Sequence, residues 1–176
     1  METVLILDFG AQYSQLIARR VREQNVYCEV KPCSISPAEI EKIAPIGIIL
    51  SGGPQSVYES VSPHVDPALF ALGIPVLGIC YGCQLMAYSL GGTVAAATEA
   101  TAREYGKTLT EFDTDCSIFQ GLPASSVTWM SHGDYISQVP DGFAVTAKTA
   151  VCPTAAMACP EKKLYGVQFH PEVNHT

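Results

Sequence analysis

The 176-residue sequence has no apolar run approaching the roughly 18 residues of a membrane-spanning helix. Its amino terminus, METVLILDFG, lacks a basic region and a small-residue cleavage site, so it reads as a buried first strand and not as a signal peptide. Internal repeats, low-complexity tracts and linkers are absent. Charge is scarce: 15% of residues carry it, against about a quarter in an ordinary domain. Either a sheet covered on both faces or a surface that sits against a partner accounts for this. A basic excess is also missing. With 10 basic and 17 acidic residues the net charge is −7, which argues against a nucleic-acid-binding domain. The one basic cluster, Arg19, Arg20 and Arg22, falls on the first expected helix and reads as a solvated face. Seven cysteines, at 28, 33, 80, 83, 116, 152 and 159, are odd in number and come without a secretion signal. A disulfide framework is therefore not expected, and a reducing cytoplasm fits best.

What is present is apolar. Apolar residues make up 48% of the chain, enough for one domain with a full core. Short apolar runs alternate with helical patterns, the signature of an α/β sheet. The spacing predicts strands at Val4–Leu7, Val26–Val30, Ile46–Leu50 and Val76–Ile79. It predicts helices after Tyr13, after Ser36, over Pro67–Leu72 and over about Gln84–Leu90, with Gly91-Gly92 as a stop. Ser36, Pro37 and Glu39 form a capping-box pattern. From Val94 onward the runs Val94–Ala97, Gly106–Phe112, Val127–Ser131, Phe143–Thr149, Ala155–Cys159 and Leu164–Phe169 read as strands joined by turns. The expected fold is α/β: a mostly parallel central sheet flanked by helices, with antiparallel additions in the C-terminal half. Ligands of such sheets sit at the carboxyl ends of parallel strands. Asp8–Gln12, Ser51–Pro54 and Cys80–Gln84 should converge there.

Gly78-Ile79-Cys80-Tyr81-Gly82 follows one of these strands and precedes a helix. It is the cysteine form of a nucleophile elbow, G-x-C-x-G, in which a flanking Cβ would crowd the strained turn. The thiol then sits at a helix N-terminus, whose positive end favours a thiolate. The Tyr81 N–H is free to face a developing oxyanion. Gly53, after the neighbouring strand, is the candidate second donor, although Gly52-Gly53-Pro54 is also an ordinary tight turn. His170-Pro171-Glu172 ends the Leu164–Phe169 run. Residues i and i+2 of an extended chain share a side, so Glu172 can hold one imidazole nitrogen of His170 while the other faces Cys80. Cys80-Tyr81-Gly82-Cys83 is also C-x-x-C, the pattern of a redox pair or half a metal site. That reading leaves Gly78, Gly82, His170 and Glu172 unexplained, and Cys152 and Cys159 have no neighbouring histidine to complete a metal site.

SGGP at 51–54, GICYGCQL at 78–85, MSHGD at 130–134 and GVQFHPE at 166–172 together resemble the class I (triad) glutamine amidotransferase domain, in order and over essentially the whole chain. The resemblance implies a flavodoxin-like three-layer fold and hydrolysis of glutamine to glutamate and ammonia by Cys80, His170 and Glu172. Gly53 and Tyr81 would form the oxyanion hole. Gln84, Ser131, His132 and Gly133 would bind glutamine, and no metal is implied. Gln84 also reads as an exposed first-turn residue, and His132 and Asp134 as turn formers; Asp134 is a candidate for communication with a partner.

The segment from Leu7 to Glu23 resembles the branch of the family serving GMP formation. That implies a partner, an ATP pyrophosphatase (synthetase) domain or subunit, which adenylates XMP with ATP and magnesium. This sequence has neither a G-x-x-x-x-G-K-[ST] loop nor an SGGVDS loop, so no cofactor is expected in the chain itself. Residues 1–176 are expected to be one type 1 amidotransferase domain, with a closing helix and the synthetase domain outside them. The alternatives are service to another biosynthetic pathway, a catalytically silent regulatory module, and a stand-alone cysteine hydrolase.

Overall fold

Leu5, Ile6 and Leu7 are all fully buried. Neighbouring strand residues point to opposite faces, so the first strand has no solvent face, as its unbroken apolar run requires. Leu5 and Leu7 pack with Ile40, Leu50, Leu85 and Met86. Ile6 packs on the other side with Ile17, Ala18 and Phe169. The computed structural model that shows this describes residues 1–98 and 103–176.

In chain order the elements are β1 (Thr3–Asp8), α1 (Ser14–Glu23), β2 (Tyr27–Pro32), α2 (Pro37–Ile43), β3 (Gly47–Leu50), β4 (Val76–Ile79) and α3 (Tyr81–Ser89). There follow β5 (Thr93–Ala96), β6 (Glu104–Phe112), β7 (Ser125–His132), β8 (Asp134–Gln138), β9 (Ala144–Lys148), β10 (Ala156–Cys159) and β11 (Leu164–Val167). One nine-stranded sheet runs β2-β1-β3-β4-β11-β10-β9-β6-β7, and β5 and β8 form a separate pair. Strands β2, β1, β3, β4 and β11 are mutually parallel. From β11 outward the pairings are antiparallel. Helix α1 lies on one face, and α2 and α3 on the other. Among the described residues no helix is long and apolar enough to cross a membrane.

The expected α/β architecture is present, with three differences. β11 reads from sequence as one of the antiparallel additions, but it pairs with β4 in parallel, Val167 opposite Ile79. An apolar run records that a strand is buried, not the direction of its neighbours. β8 is missing from the sequence reading because only Ile136 of DYISQ is buried. The helix expected over Pro67–Leu72 is a 3₁₀ turn, Pro67–Ala71, capped by Asp66.

Two local devices hold the frame. Ser36 and Glu39 form the reciprocal capping box of α2: Ser36 Oγ accepts from the Glu39 N–H at 3.2 Å, and Glu39 Oε2 accepts from the Ser36 N–H at 2.9 Å. Helix α3 approaches β3 and β4 where only glycine fits. A Cβ on Gly82 would lie 2.5 Å from the Leu50 carbonyl oxygen, and one on Gly78 would lie 2.6 Å from that of Gly82.

Gly82→Ala is therefore expected to lower unfolding free energy by about 1–3 kcal/mol in urea denaturation. Gly47→Ala, whose Cβ would meet nothing nearer than 3.7 Å, is the control and should change stability by less than about 1 kcal/mol. Equal effects at the two positions would contradict the close-approach account.

Candidate active site

The ends of β1, β3, β4 and β11 meet on one side of the sheet, and Ser51 ties three of the segments together there. Its Oγ accepts from the Phe9 N–H at 3.0 Å, its N–H donates to the Leu7 carbonyl at 3.0 Å, and its carbonyl accepts from the Gly82 N–H at 3.1 Å. Cys80 stands between β4 and α3 with φ 52° and ψ −109°. A non-glycine residue at positive φ is strained unless its surroundings hold it. The Cys80 N–H donates to the Val167 carbonyl at 2.8 Å. The turn is thus fixed on one side by β11 and on the other by Ser51.

Helix α3 begins at Tyr81, three residues before the expected start, so Cys80 occupies the N-cap itself. The N–H groups of a first helical turn have no intrahelical acceptor. With the Cys80 and Gly82 donors engaged by β11 and Ser51, the Tyr81 N–H between them has no backbone acceptor among the described residues.

His170 follows β11, and its Nδ1–H donates to Glu172 Oε1 at 2.7 Å. A carboxylate only accepts, so this bond leaves Nε2 as the working nitrogen. Both side chains are buried. Burial alone would lower the imidazole's proton affinity, but hydrogen bonding to Cys80 and to Glu172 more than offsets it and raises the pKa to about 10. The two glycines after β3 divide the space. A Cβ on Gly52 would lie 3.2 Å from His170 Cε1 and 3.7 Å from Cys80 Cβ, whereas one on Gly53 would lie 2.9 Å from the Phe9 carbonyl oxygen.

A cleft of about 360 Å³ opens over Cys80, and Gly53, Gln84, Ser131, His132 and Gly133 all line it. Three of the expected residues, Tyr81, His170 and Glu172, are not among its lining. The Tyr81 side chain turns into the core, where its hydroxyl donates to the Pro63 carbonyl at 2.5 Å. Gln84 is buried, not exposed on the first turn. His132 has both ring nitrogens committed: Nδ1 to the Asp134 carbonyl at 2.8 Å and Nε2 to Glu104 Oε2 at 2.9 Å. Thr149 Oγ1 donates to Glu104 Oε1 at 2.5 Å. The nearby Cys152 thiol, pushed up to about 12 by burial and by Glu104, donates to the Thr154 carbonyl at 3.4 Å. Glu104, His132 and Cys152 have ligand atoms within 4.8 Å of one another, and these bonds make them a hydrogen-bonded cluster bracing the 131–134 segment. Asp134 joins that segment to the loop after Gly53, accepting from Ser56 Oγ at 2.5 Å and from the Tyr58 hydroxyl at 3.1 Å.

Four contributors are absent from the sequence reading. Tyr13 packs edge-on against the His170 ring, centroids 6.0 Å apart. Arg20 is not part of a solvated face: its Nε donates to the Glu172 carbonyl at 2.9 Å, and a second nitrogen bonds Asn174. Gln168 donates to Cys80 Sγ at 3.5 Å. Glu104 holds His132 from 28 residues away. Gln168 lies in the GVQFHPE motif, and Tyr13 and Arg20 lie in the Leu7–Glu23 segment, whereas Glu104 carries no signal. The two cysteines of the C-x-x-C sit in different surroundings. Cys83 packs into the α3 face against Gly166, while Cys80 belongs to the cluster on the opposite face, and both are free thiols.

A cysteine at a helix N-cap beside a cleft, with a buried His–Glu pair next to it, is an arrangement that can perform acyl transfer through a thioester. The family model for the class-I glutamine amidotransferases matches residues 5–176, and this chain belongs to that family. It is 56% identical over 175 residues to the glutamine-hydrolysing GMP synthase of Clostridium botulinum (strain Alaska E43 / Type E3), an alignment covering 99% of this chain and 34% of that protein. It is 59% identical, with the same coverage, to the glutamine-hydrolysing GMP synthase of Caldanaerobacter subterraneus subsp. tengcongensis. The chain thus spans about a third of the length of these curated relatives. Among solved structures it superimposes at TM-score 0.85 and 31% identity on a Thermoplasma acidophilum protein provisionally described as a GMP synthase subunit, covering 100% of this chain and 87% of that one. A Thermotoga maritima glutamine amidotransferase shares the fold at TM-score 0.78 and 24% identity, over 98% of this chain and 76% of that one.

The raised His170 pKa has a sign. Folding favours the protonated ring, so this contribution to stability is complete below the ordinary value of 6.5 and is lost as pH rises through about 10. Denaturant unfolding of the native chain and of His170→Asn between these limits should show the native chain losing its relative stability as pH rises. A gap that widens with pH would contradict the assignment.

Proposed function

We propose that this chain hydrolyses glutamine to glutamate and ammonia, with Cys80 as nucleophile. The observation that carries this reading is Cys80 at φ 52° beside a buried His170–Glu172 pair. Cys80 Sγ attacks the side-chain amide carbon, and the electron pair of the carbonyl moves to its oxygen. The Gly53 and Tyr81 N–H groups receive that oxyanion. As the oxyanion collapses and the carbon–nitrogen bond breaks, His170, as imidazolium, protonates the amide nitrogen, which leaves as ammonia. The neutral ring then takes a proton from water, which attacks the γ-glutamyl thioester and returns the electron pair to sulfur. Glu172 keeps the ring in the tautomer that this cycle needs.

Gln84, Ser131, His132 and Gly133 bind the α-amino and α-carboxylate end of glutamine. Gln84 Nε2 is already committed to Asp134 and Gln168, so its Oε1 is the atom that accepts from the ammonium. The His132 ring is committed as well, so its backbone serves the substrate. Residues 1–176 act as the amidotransferase unit of a GMP synthase in purine nucleotide synthesis. The ammonia passes to an ATP pyrophosphatase domain or subunit, which holds ATP, magnesium and XMP. The basis is the likeness to GMP synthases at 56% and 59% identity.

An electrophilic glutamine analogue is expected to label Cys80 and no other thiol in peptide mapping; label on Cys83, or on none, would refute the mechanism. Cys80→Ala should lower glutaminase turnover by at least about a thousandfold, and Glu172→Gln by about a hundredfold. Turnover by the isolated chain should be slow and rise when a nucleotide-loaded GMP synthase pyrophosphatase is added. A rate already maximal and indifferent to that partner would remove the coupling from the proposal.

A further inference from the structure

Gln168 has no part in the cycle just described, yet it touches the reacting sulfur. β4 and β11 run in register with Ile79 opposite Val167, so Cys80 and Gln168 leave the sheet side by side. The Gln168 side chain is fully buried, and its backbone N–H is anchored on the Ala155 carbonyl at 2.8 Å. Its Nε2 lies 3.5 Å from Cys80 Sγ, and its Oε1 accepts from Gln84 Nε2 at 3.0 Å.

An amide side chain can be turned end for end with little change in shape, but here a group that cannot turn fixes the sense. The Asp134 carbonyl only accepts, so the Gln84 atom 3.0 Å from it is the nitrogen. That same nitrogen reaches Gln168, so the Gln168 atom facing it is the oxygen. The Gln168 nitrogen is left pointing at the sulfur. A thiol proton could go to the Ser131 carbonyl, but that contact is 3.7 Å.

We propose that Gln168 is a catalytic residue that donates an N–H to the Cys80 thiolate, and that Gln84 and the Asp134 carbonyl are positioning groups for that bond. The inference rests on Cys80 being the nucleophile. Hydrogen bonds strengthen when the acceptor is charged, so Gln168 favours the thiolate over the thiol before glutamine arrives. It acts a second time when the thioester carbon–sulfur bond breaks and the electron pair returns to sulfur. Gln168 neither gains nor loses a proton in either step.

The test measures iodoacetamide alkylation of the Cys80 peptide in the full chain, native and as Gln168→Met, together with glutaminase kinetics. At about pH 7 the variant should alkylate about tenfold more slowly. At about pH 10, where thiols ionise unaided, the two rates should agree within about twofold. kcat should fall about tenfold, with KM within about threefold. Gln84→Met, which removes the orienting donor without touching the sulfur, should slow alkylation in the same pH-dependent way, and it decides the matter alone if Gln168→Met does not fold. Rates equal to the native chain at pH 7, or slowed by one factor at both pH values, overturn the proposal. Failure of the native chain to take the glutamine analogue at Cys80 would instead remove the nucleophile assignment on which it stands.

Discussion

The turn at Cys80 is held in a conformation that a cysteine does not choose. Its φ of 52° persists because the N–H groups of Cys80 and Gly82 are claimed by Val167 and Ser51, one from each strand flanking β4. This leaves the Tyr81 N–H as a first-turn donor without a backbone acceptor among the described residues. It also requires glycine at 78 and 82, since a Cβ at either would overlap backbone. The order of the central strands, β3-β4-β11, is therefore a condition of the chemistry. Only a parallel β11 beside β4 delivers Gln168 and His170 to the side of the sheet where Cys80 stands.

Much of this was legible in the sequence wherever a local pattern has one physical meaning. Val76–Ile79 is a strand with the predicted limits, because an unbroken apolar run ending at an elbow admits little else. Ser36, Pro37 and Glu39 gave the start of α2 because a capping box is a short-range device. The direction of β11 was not legible, because pairing is decided by partners distant in the chain. The start of α3 was missed by three residues because Tyr81, Gly82 and Cys83 look like a loop until β3 and β11 are seen to take up the turn's backbone bonds.

The same division runs through the site. Cys80, His170 and Glu172 carry their relation in spacing, since an elbow and an i, i+2 pair are local statements. Glu104 carries no such mark. It matters because strand register sets it opposite His132, and register is absent from composition. Arg20 looked like surface because two other arginines lie within three residues of it, yet it alone reaches across to the Glu172 carbonyl. Tyr13 looked like an ordinary helix residue until the turn of chain after β1 brought its ring to His170.

The burial of Cys83 has a consequence for how the Cys80 sulfur ages. In a redox enzyme the second cysteine of the motif lies within reach and rescues an oxidised partner by forming a disulfide. Here Cys83 is sunk against Gly166 and driven by burial, and by the nearby Cys80, towards the protonated form. A thiol held protonated attacks poorly, so Cys83 is ill suited to resolve an oxidised Cys80 by forming a disulfide.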